Sequence, residues 1–170
     1  MSHLRIRPAL PAESDWLQDC FAADMDWPKP PGYFQRVCEQ QAAGELVLLL
    51  ALEAGEYRGH CKLLWQSPYP GFRDRGIPEI QDLNVIRSRR REGIASWLLD
   101  EAEARIVKQA RYAGIGFGLY ADYGAAQRLY IQRGYVPDGR GIHYRNESLP
   151  PGASCTVDDD LVLYLVKPLR

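Results

Sequence analysis

The chain has 170 residues, a net charge of −1, 46% hydrophobic residues and 25% charged ones. This fits one soluble globular domain with a sizeable core, and it excludes the broad basic surface of a general nucleic-acid binder. No apolar run approaches the roughly 18 residues needed to span a bilayer, and the start MSHLRIRPALPAESDW lacks the apolar core of a signal peptide, so a cytoplasmic protein is expected.

Residues 3 to 9, HLRIRPA, alternate and predict a short strand ended by Pro8. Residues 11 to 21 predict a helix, with Pro11 suited to its first turn and Trp16, Leu17, Cys20 and Phe21 on one face. DMDWPKPPGY, 24 to 33, has three prolines and predicts an irregular loop. A second helix is expected from Tyr33 to Ala43. Two strands follow around a turn near Ala54-Gly55-Glu56, and the first, Leu46 to Leu52, is apolar enough to be central. SPYPGFRDRGIP, 67 to 78, is a second loop, and EIQDLNVI, 79 to 86, is a strand. Next comes RSRRREGIA, with four arginines in five positions, and then a long helix predicted from Glu92 to Tyr112. Its apolar residues Ile94, Leu98, Ala102, Ile106 and Ala110 recur every four positions. GIGFGLY, 114 to 120, is a strand, AAQRLYIQRG, 125 to 134, a helix, and closing strands are expected at Tyr135 to Tyr144 and Leu161 to Val166. The strand-helix-strand unit implies a parallel pair, the hairpins imply antiparallel flanks, and the sum is a mixed α/β sheet with helices on both faces.

The other polar residues point to no second chemistry. Cys20, Cys38, Cys61 and Cys155 are unpaired in spacing and read as free thiols, and His3, His60 and His143 have no metal-ligand spacing. Asp158, Asp159 and Asp160 precede an apolar strand and read as a solvated turn. Asn146-Glu147-Ser148 matches the glycosylation pattern, which a cytoplasmic chain does not use.

The junction of strand 79–86 with the long helix is a candidate anion site. A first helical turn has unpaired N–H groups and partial positive charge, Gly93 leaves the backbone open, Ala95 is small, and Arg90 and Arg91 add charge. The same residues also suit an ordinary helix start beside a basic loop, and physics alone does not separate the two.

Arg90-Arg91-Glu92-Gly93-Ile94-Ala95 fits the Q/R-x-x-G-x-G/A signature of the GNAT superfamily, the GCN5-related N-acetyltransferases. It follows Asp82-Leu83-Asn84-Val85, similar to that family's L-x-V strand. Ala126 to Tyr135 resembles the family's A-x-x-L-Y-x-x-x-G-F/Y segment. Over nearly the whole chain the element order is that of a single GNAT domain: a mostly antiparallel sheet with a splayed central parallel pair. The resemblance implies acetyl-CoA or another acyl-CoA as co-substrate and no metal. Its pyrophosphate would lie over N–H groups from Arg91 through Glu92, Gly93, Ile94 and Ala95 to Ser96, with Arg90 adding charge. Its pantetheine arm would run along Asn84, Val85 and Ile86. Where the family often has a cofactor-binding Asn, this chain has Tyr123, and Asp122 or the backbone at Tyr123 and Gly124 would substitute.

The implied reaction is attack of a primary amine on the thioester within a ternary complex. Backbone N–H groups at a bulge near Asn84 or Val85 would hold the oxyanion. Tyr130 matches the tyrosine that protonates the departing thiolate, although on the residues alone it reads as a core aromatic on an amphipathic helix. The base stays open between Glu79, Asp82 and water. Loops 24–33 and 67–78 would face the acceptor, with Asp24, Asp26, Trp27, Tyr33, Tyr69 and Phe72 either recognising a cation or an aromatic amine or simply packing. A small-molecule amine is favoured over a protein, with no nucleic-acid or membrane partner, and homodimers are common in the family. The alternative is a non-catalytic acyl-CoA-binding regulatory module.

Overall fold

A computed structural model describes residues 4–25 and 27–170, so the expectations on His3 and Asp26 lie outside the described residues. The chain forms two compact units, Met1–Trp65 with Ile80–Arg105 and Gln66–Glu79 with Ile106–Arg170. Among the described residues no helix is long and apolar enough to cross a membrane.

Unit one holds strands β1 (Leu4–Pro8), β2 (Leu46–Glu53), β3 (Glu56–Leu64) and most of β4 (Glu79–Val85), adjacent in that order. β1 pairs antiparallel with β2 from Leu4 opposite Glu53 to Pro8 opposite Leu49. β2 and β3 form a hairpin whose turn residues Ala54 and Gly55 both have positive φ, 52° and 81°, which suits the twist of the strands. Helices α1 (Ser14–Asp24) and α2 (Tyr33–Ala42) cover this sheet with Leu17, Phe21, Phe34 and Val37, packed on Leu48 and Leu50. Each such side chain contributes about 1.5–3 kcal/mol on burial, and the near-unbroken apolar β2 is an interior strand, paired with β1 on one side and β3 on the other, one place in from the sheet edge.

β3 has a glycine where the sheet needs one. A Cβ at Gly59 would lie 2.4 Å from the Asn84 carbonyl oxygen of β4. Gly59→Ala is therefore expected to cost about 1–3 kcal/mol by forcing the strands apart. A urea midpoint equal to that of the parent protein would contradict this.

Unit two holds α3 (Pro70–Arg73), β5 (Tyr112–Gly118), α5 (Gly124–Gln132), β6 (Val136–Tyr144), β7 (Glu147–Ser148) and β8 (Leu161–Pro168). Its strands follow the order β5-β8-β6-β7, all antiparallel. Tyr69, Phe72, Ile77 and Tyr164 form a core in which the Tyr69 and Tyr164 rings stack at 3.7 Å. The Gly114 N–H donates to the Pro78 carbonyl at 2.9 Å, setting the start of β4 beside β5. Gly114 and Gly118 lack side chains because Phe72 and Tyr123 fill those positions, 2.4 and 2.3 Å from where a Cβ would stand.

Several boundaries differ from expectation. The long helix, α4, runs only from Ile94 to Ile106, two residues later and six earlier than the periodicity predicts. Its apolar series continues to Ala110, but Tyr112 and Ala113 are taken into β5 by pairing with Pro168 and Lys167. β5 correspondingly starts and ends two residues before the predicted 114–120. Residues 11–13 form a separate 3-10 turn ahead of α1, and the loop 67–78 contains α3.

Candidate active site

In unit one the chain turns from β4 into α4 through a 3-10 turn at Arg87–Arg89. Arg91 and Gly93 then take left-handed φ values, 64° and 83°. Such residues re-aim successive peptide groups and can present several N–H groups to one anion. A Cβ at Gly93 would meet nothing within 4 Å, so the backbone there faces open space. Glu92 and Gly93 precede the helix, and its first turn is Ile94, Ala95, Ser96 and Trp97, where the Trp97 N–H donates to the Gly93 carbonyl at 3.1 Å.

The arginines divide by partner. Arg89 is held by Glu53 at 2.7 Å and Glu92 at 2.8 Å. Arg90 donates from Nε to the Val85 carbonyl at 3.2 Å and lies 6.0 Å from the Trp27 ring. The Arg87 backbone N–H donates to Asp24 Oδ2 at 2.7 Å. Arg91 is exposed and has no ion-pair partner among the described residues. Of the backbone groups expected to meet a pantetheine arm, the Val85 carbonyl holds Arg90 and the Ile86 N–H donates to the Arg58 carbonyl at 3.0 Å.

Within β4, the strand in which a bulge is expected near Asn84 or Val85, Asp82 takes a left-handed φ of 53°. A side chain in that region costs on the order of 1–3 kcal/mol and persists only where its surroundings fix it. Here four groups do so. Oδ1 accepts Lys29 Nζ at 2.5 Å and Asn84 Nδ2 at 2.7 Å, while Oδ2 accepts the Tyr33 hydroxyl at 2.5 Å and His60 Nε2 at 3.0 Å. His60 is fully buried between the rings of Phe21 and Phe34. With its Nε2–H on the carboxylate, its Nδ1 accepts the Tyr57 hydroxyl at 2.6 Å. Burial alone would raise the Asp82 carboxyl, but His60 and Lys29 outweigh it and hold the group well below the usual carboxylate range. Burial, and then the adjacent Asp82 carboxylate, push the Tyr33 phenol up.

Asp82, Asn84, Val85, Ile86 and residues 90–96 thus share unit one. Lys29, Tyr57 and His60 were not among the sequence candidates. His60 carried no clear signal, since its strand β3 also contains Glu56, Arg58 and Lys62. Nothing local marked Lys29, 53 residues from its partner.

In unit two, Glu79 is 3% exposed and accepts the Ser67 hydroxyl. Ser67 Oγ in turn accepts the Tyr69 N–H at 3.0 Å. Tyr130 on α5 is 6% exposed, its ring 6.4 Å from Phe117 and 6.2 Å from Tyr135. Asp122 is exposed in a 3-10 turn, and the half-buried Tyr123 packs on Gly118 and donates to Asp159 Oδ1 at 2.9 Å. Tyr69 and Phe72, expected either to bind an acceptor or to pack, are buried in the unit-two core, and the Tyr69 hydroxyl reaches Asp138 Oδ2 at 2.6 Å. The aspartate triplet is more than a solvated turn: Asp158 accepts Tyr144, Asp159 accepts Tyr120 and Tyr123, and Asp160 accepts Arg145. The four cysteines are free.

A family model described as the acetyltransferase (GNAT) family matches residues 10–135. No curated protein matches the chain. A GNAT-family structure from Desulfovibrio desulfuricans is 14% identical and aligns over 99% of this chain and 100% of its own, with a TM-score of 0.74. An N-acetyltransferase from Staphylococcus aureus Mu50 is 18% identical over 99% and 100% of the two chains, with a TM-score of 0.72. The yncA structure from Salmonella typhimurium, which carries acetyl-CoA as its cofactor, is 16% identical over 99% of this chain and 95% of its own, with a TM-score of 0.69. At these identities the likeness is one of fold.

Proposed function

This chain belongs to the GNAT acetyltransferase family, and we propose that it transfers an acyl group, acetyl first among them, from acyl-CoA to a primary amine by direct attack in a ternary complex. The observation that carries this reading is the pair of left-handed residues Arg91 and Gly93, with open space over Gly93, at the entrance to α4. The pyrophosphate would rest on N–H groups from Arg91 to Ser96, where the helix start favours an anion. The arm would run along Asn84, Val85 and Ile86, displacing Arg90 from the Val85 carbonyl and releasing its guanidinium toward a phosphate. Asp122 and Tyr123 are kept as further candidates for contact with the cofactor, on the resemblance alone.

In the reaction the amine nitrogen bonds to the thioester carbon, the oxyanion forms and collapses, and the carbon–sulfur bond breaks. N–H groups at the β4 bulge, at Asn84 or Val85, stabilise the oxyanion. Tyr130 gives its proton to the leaving thiolate. Of the two carboxylates weighed as base, Glu79 is favoured, because both Asp82 oxygens already accept two donors each and its basicity is lowered. Asp82 then serves as the anchor that fixes the bulge. No observation favours the non-catalytic module.

Binding is tested with Gly93→Ala. A left-handed Ala costs about 1–2 kcal/mol, so calorimetry should find CoA binding weakened about tenfold or more, with the fold retained. Equal CoA affinity in parent and variant would remove Gly93 from the site. Transfer is tested by mass spectrometry of an amine incubated with acetyl-CoA, which should gain one acetyl group only when the protein is present.

A further inference from the structure

The Asp82 cluster contains an occupied cation site. The ammonium of Lys29 lies 2.5 Å from Asp82 Oδ1, 4.7 Å from the centre of the Tyr33 ring and 5.2 Å from that of Phe21. A carboxylate with aromatic faces around it is the arrangement that recognises an alkylammonium ion. The surroundings draw cations more generally, since Lys62 Nζ also lies 5.4 Å from the Tyr33 ring. The box is built by regular elements: Phe21 on α1, Tyr33 on α2 and Asp82 on β4. Its occupant is not. Lys29 belongs to the loop between α1 and α2, where Trp27, Pro28 and Pro30 are exposed. The backbone at Lys29 is held by a side chain, Gln18 Nε2, which donates to the Lys29 and Pro30 carbonyls at 3.2 and 3.4 Å. The oxygen of that same amide is buried without a partner among the described residues.

The box and its occupant therefore differ in origin. The walls would persist without Lys29, because Asp82 is independently fixed by Asn84, Tyr33 and His60, and His60 by Tyr57. Removing Lys29 leaves a fixed carboxylate and two ring faces with room for one ammonium group. We propose that Asp82, Tyr33 and Phe21 form a binding site for the ammonium group of a cationic acceptor, and that Lys29 is a tethered occupant which that acceptor displaces. The acceptor class is then a flexible amine bearing a second positive charge, such as a diamine or a lysine-like side chain. This rests on the transferase reading for its biological sense, but the cation site itself does not depend on turnover.

The test uses the full chain, its Lys29→Met variant, which keeps an unbranched stem without charge, and the double variant Lys29→Met/Asp82→Asn. The probe is n-butylammonium, titrated calorimetrically without acetyl-CoA. A site that is mostly occupied in cis has its apparent affinity lowered by the occupied fraction. Lys29→Met is therefore expected to bind n-butylammonium at least tenfold more tightly than the parent, and the double variant to lose that gain. With 1,4-diaminobutane and acetyl-CoA, KM for the diamine should fall in Lys29→Met while KM for acetyl-CoA stays unchanged. Equal n-butylammonium affinity in the parent and a folded Lys29→Met would overturn the proposal and leave Lys29–Asp82 as a structural ion pair. If the affinity contrast holds but no protein releases CoA thiol with any amine, the cation site stands and the transferase reading fails. If the diamine is acetylated while Lys29→Met changes neither affinity nor KM, the transferase reading stands and the cation site fails.

Discussion

Tyr130→Phe is expected to lower kcat for acetyl transfer by about 100-fold or more, the scale of one general acid, while CoA affinity stays within about twofold. The substitution keeps the ring, so the packing of Tyr130 against Phe117 and Tyr135 on α5 is retained and only the hydroxyl is lost. A purely structural tyrosine at this buried position would give a different pattern: a modest loss of stability with kcat unchanged. Steady-state kinetics, thermal unfolding and CoA calorimetry on the same preparation separate the two. An unchanged kcat would leave the departing thiolate without its proposed acid.

Asp82→Ala is expected to be the most destabilising single change in unit one. Removing one partner from a buried charged network costs about 3–5 kcal/mol, because the remaining groups lose their acceptor inside the protein. Lys29 can turn to solvent from its loop, so it does not hold the full cost, but His60 is fully buried and has no such escape. The left-handed φ of 53° adds to the effect, since the bonds that hold the residue there are gone. The pH dependence carries a definite sign. The folded Asp82 carboxyl lies well below its unfolded value. Its contribution is therefore fully present above the unfolded carboxylate value of about 3.9 and is lost as pH falls through the folded one. Urea midpoints measured from neutral pH into the acid range should fall more steeply for the parent than for Asp82→Asn. Parallel curves would show that Asp82 is not ionised by this network.

Much of the fold was legible because its signals are local. The apolar run of β2, the Ala54-Gly55 turn and the strand–glycine–helix passage at Gly93 each lie within a few residues of sequence. The end of α4 was not legible. Its four-residue apolar repeat continues past Ile106 with no glycine or proline to stop it, and the helix ends because Tyr112 and Ala113 gain more by pairing with β8. The glycines of β5 announced close contacts, but only the structure gives the partners, Phe72 and Tyr123.

The candidate site divides in the same way. The Gly93 signature could be read in sequence because its chemistry is made of consecutive backbone groups. The left-handed backbone at Asp82 has no local signal, since Lys29 and His60, which hold its side chain, lie 53 and 22 residues away and no periodicity links them to Asp82. That network also changes the choice between the two carboxylates. In sequence Asp82 and Glu79 are two acids on one strand, whereas in the structure both Asp82 oxygens accept two donors each, and this is why Glu79 is the one proposed as base.

CoA thiol release from acetyl-CoA, measured across a panel of primary amines with mono-cationic, di-cationic and neutral members on the parent protein and on Tyr130→Phe, decides whether the protein is a transferase. The predicted result is amine-dependent release by the parent, strongest with a dication, and a loss of about 100-fold in the variant. No release above background with any amine, together with calorimetric binding of CoA, would contradict the transferase and leave a protein that only binds the cofactor.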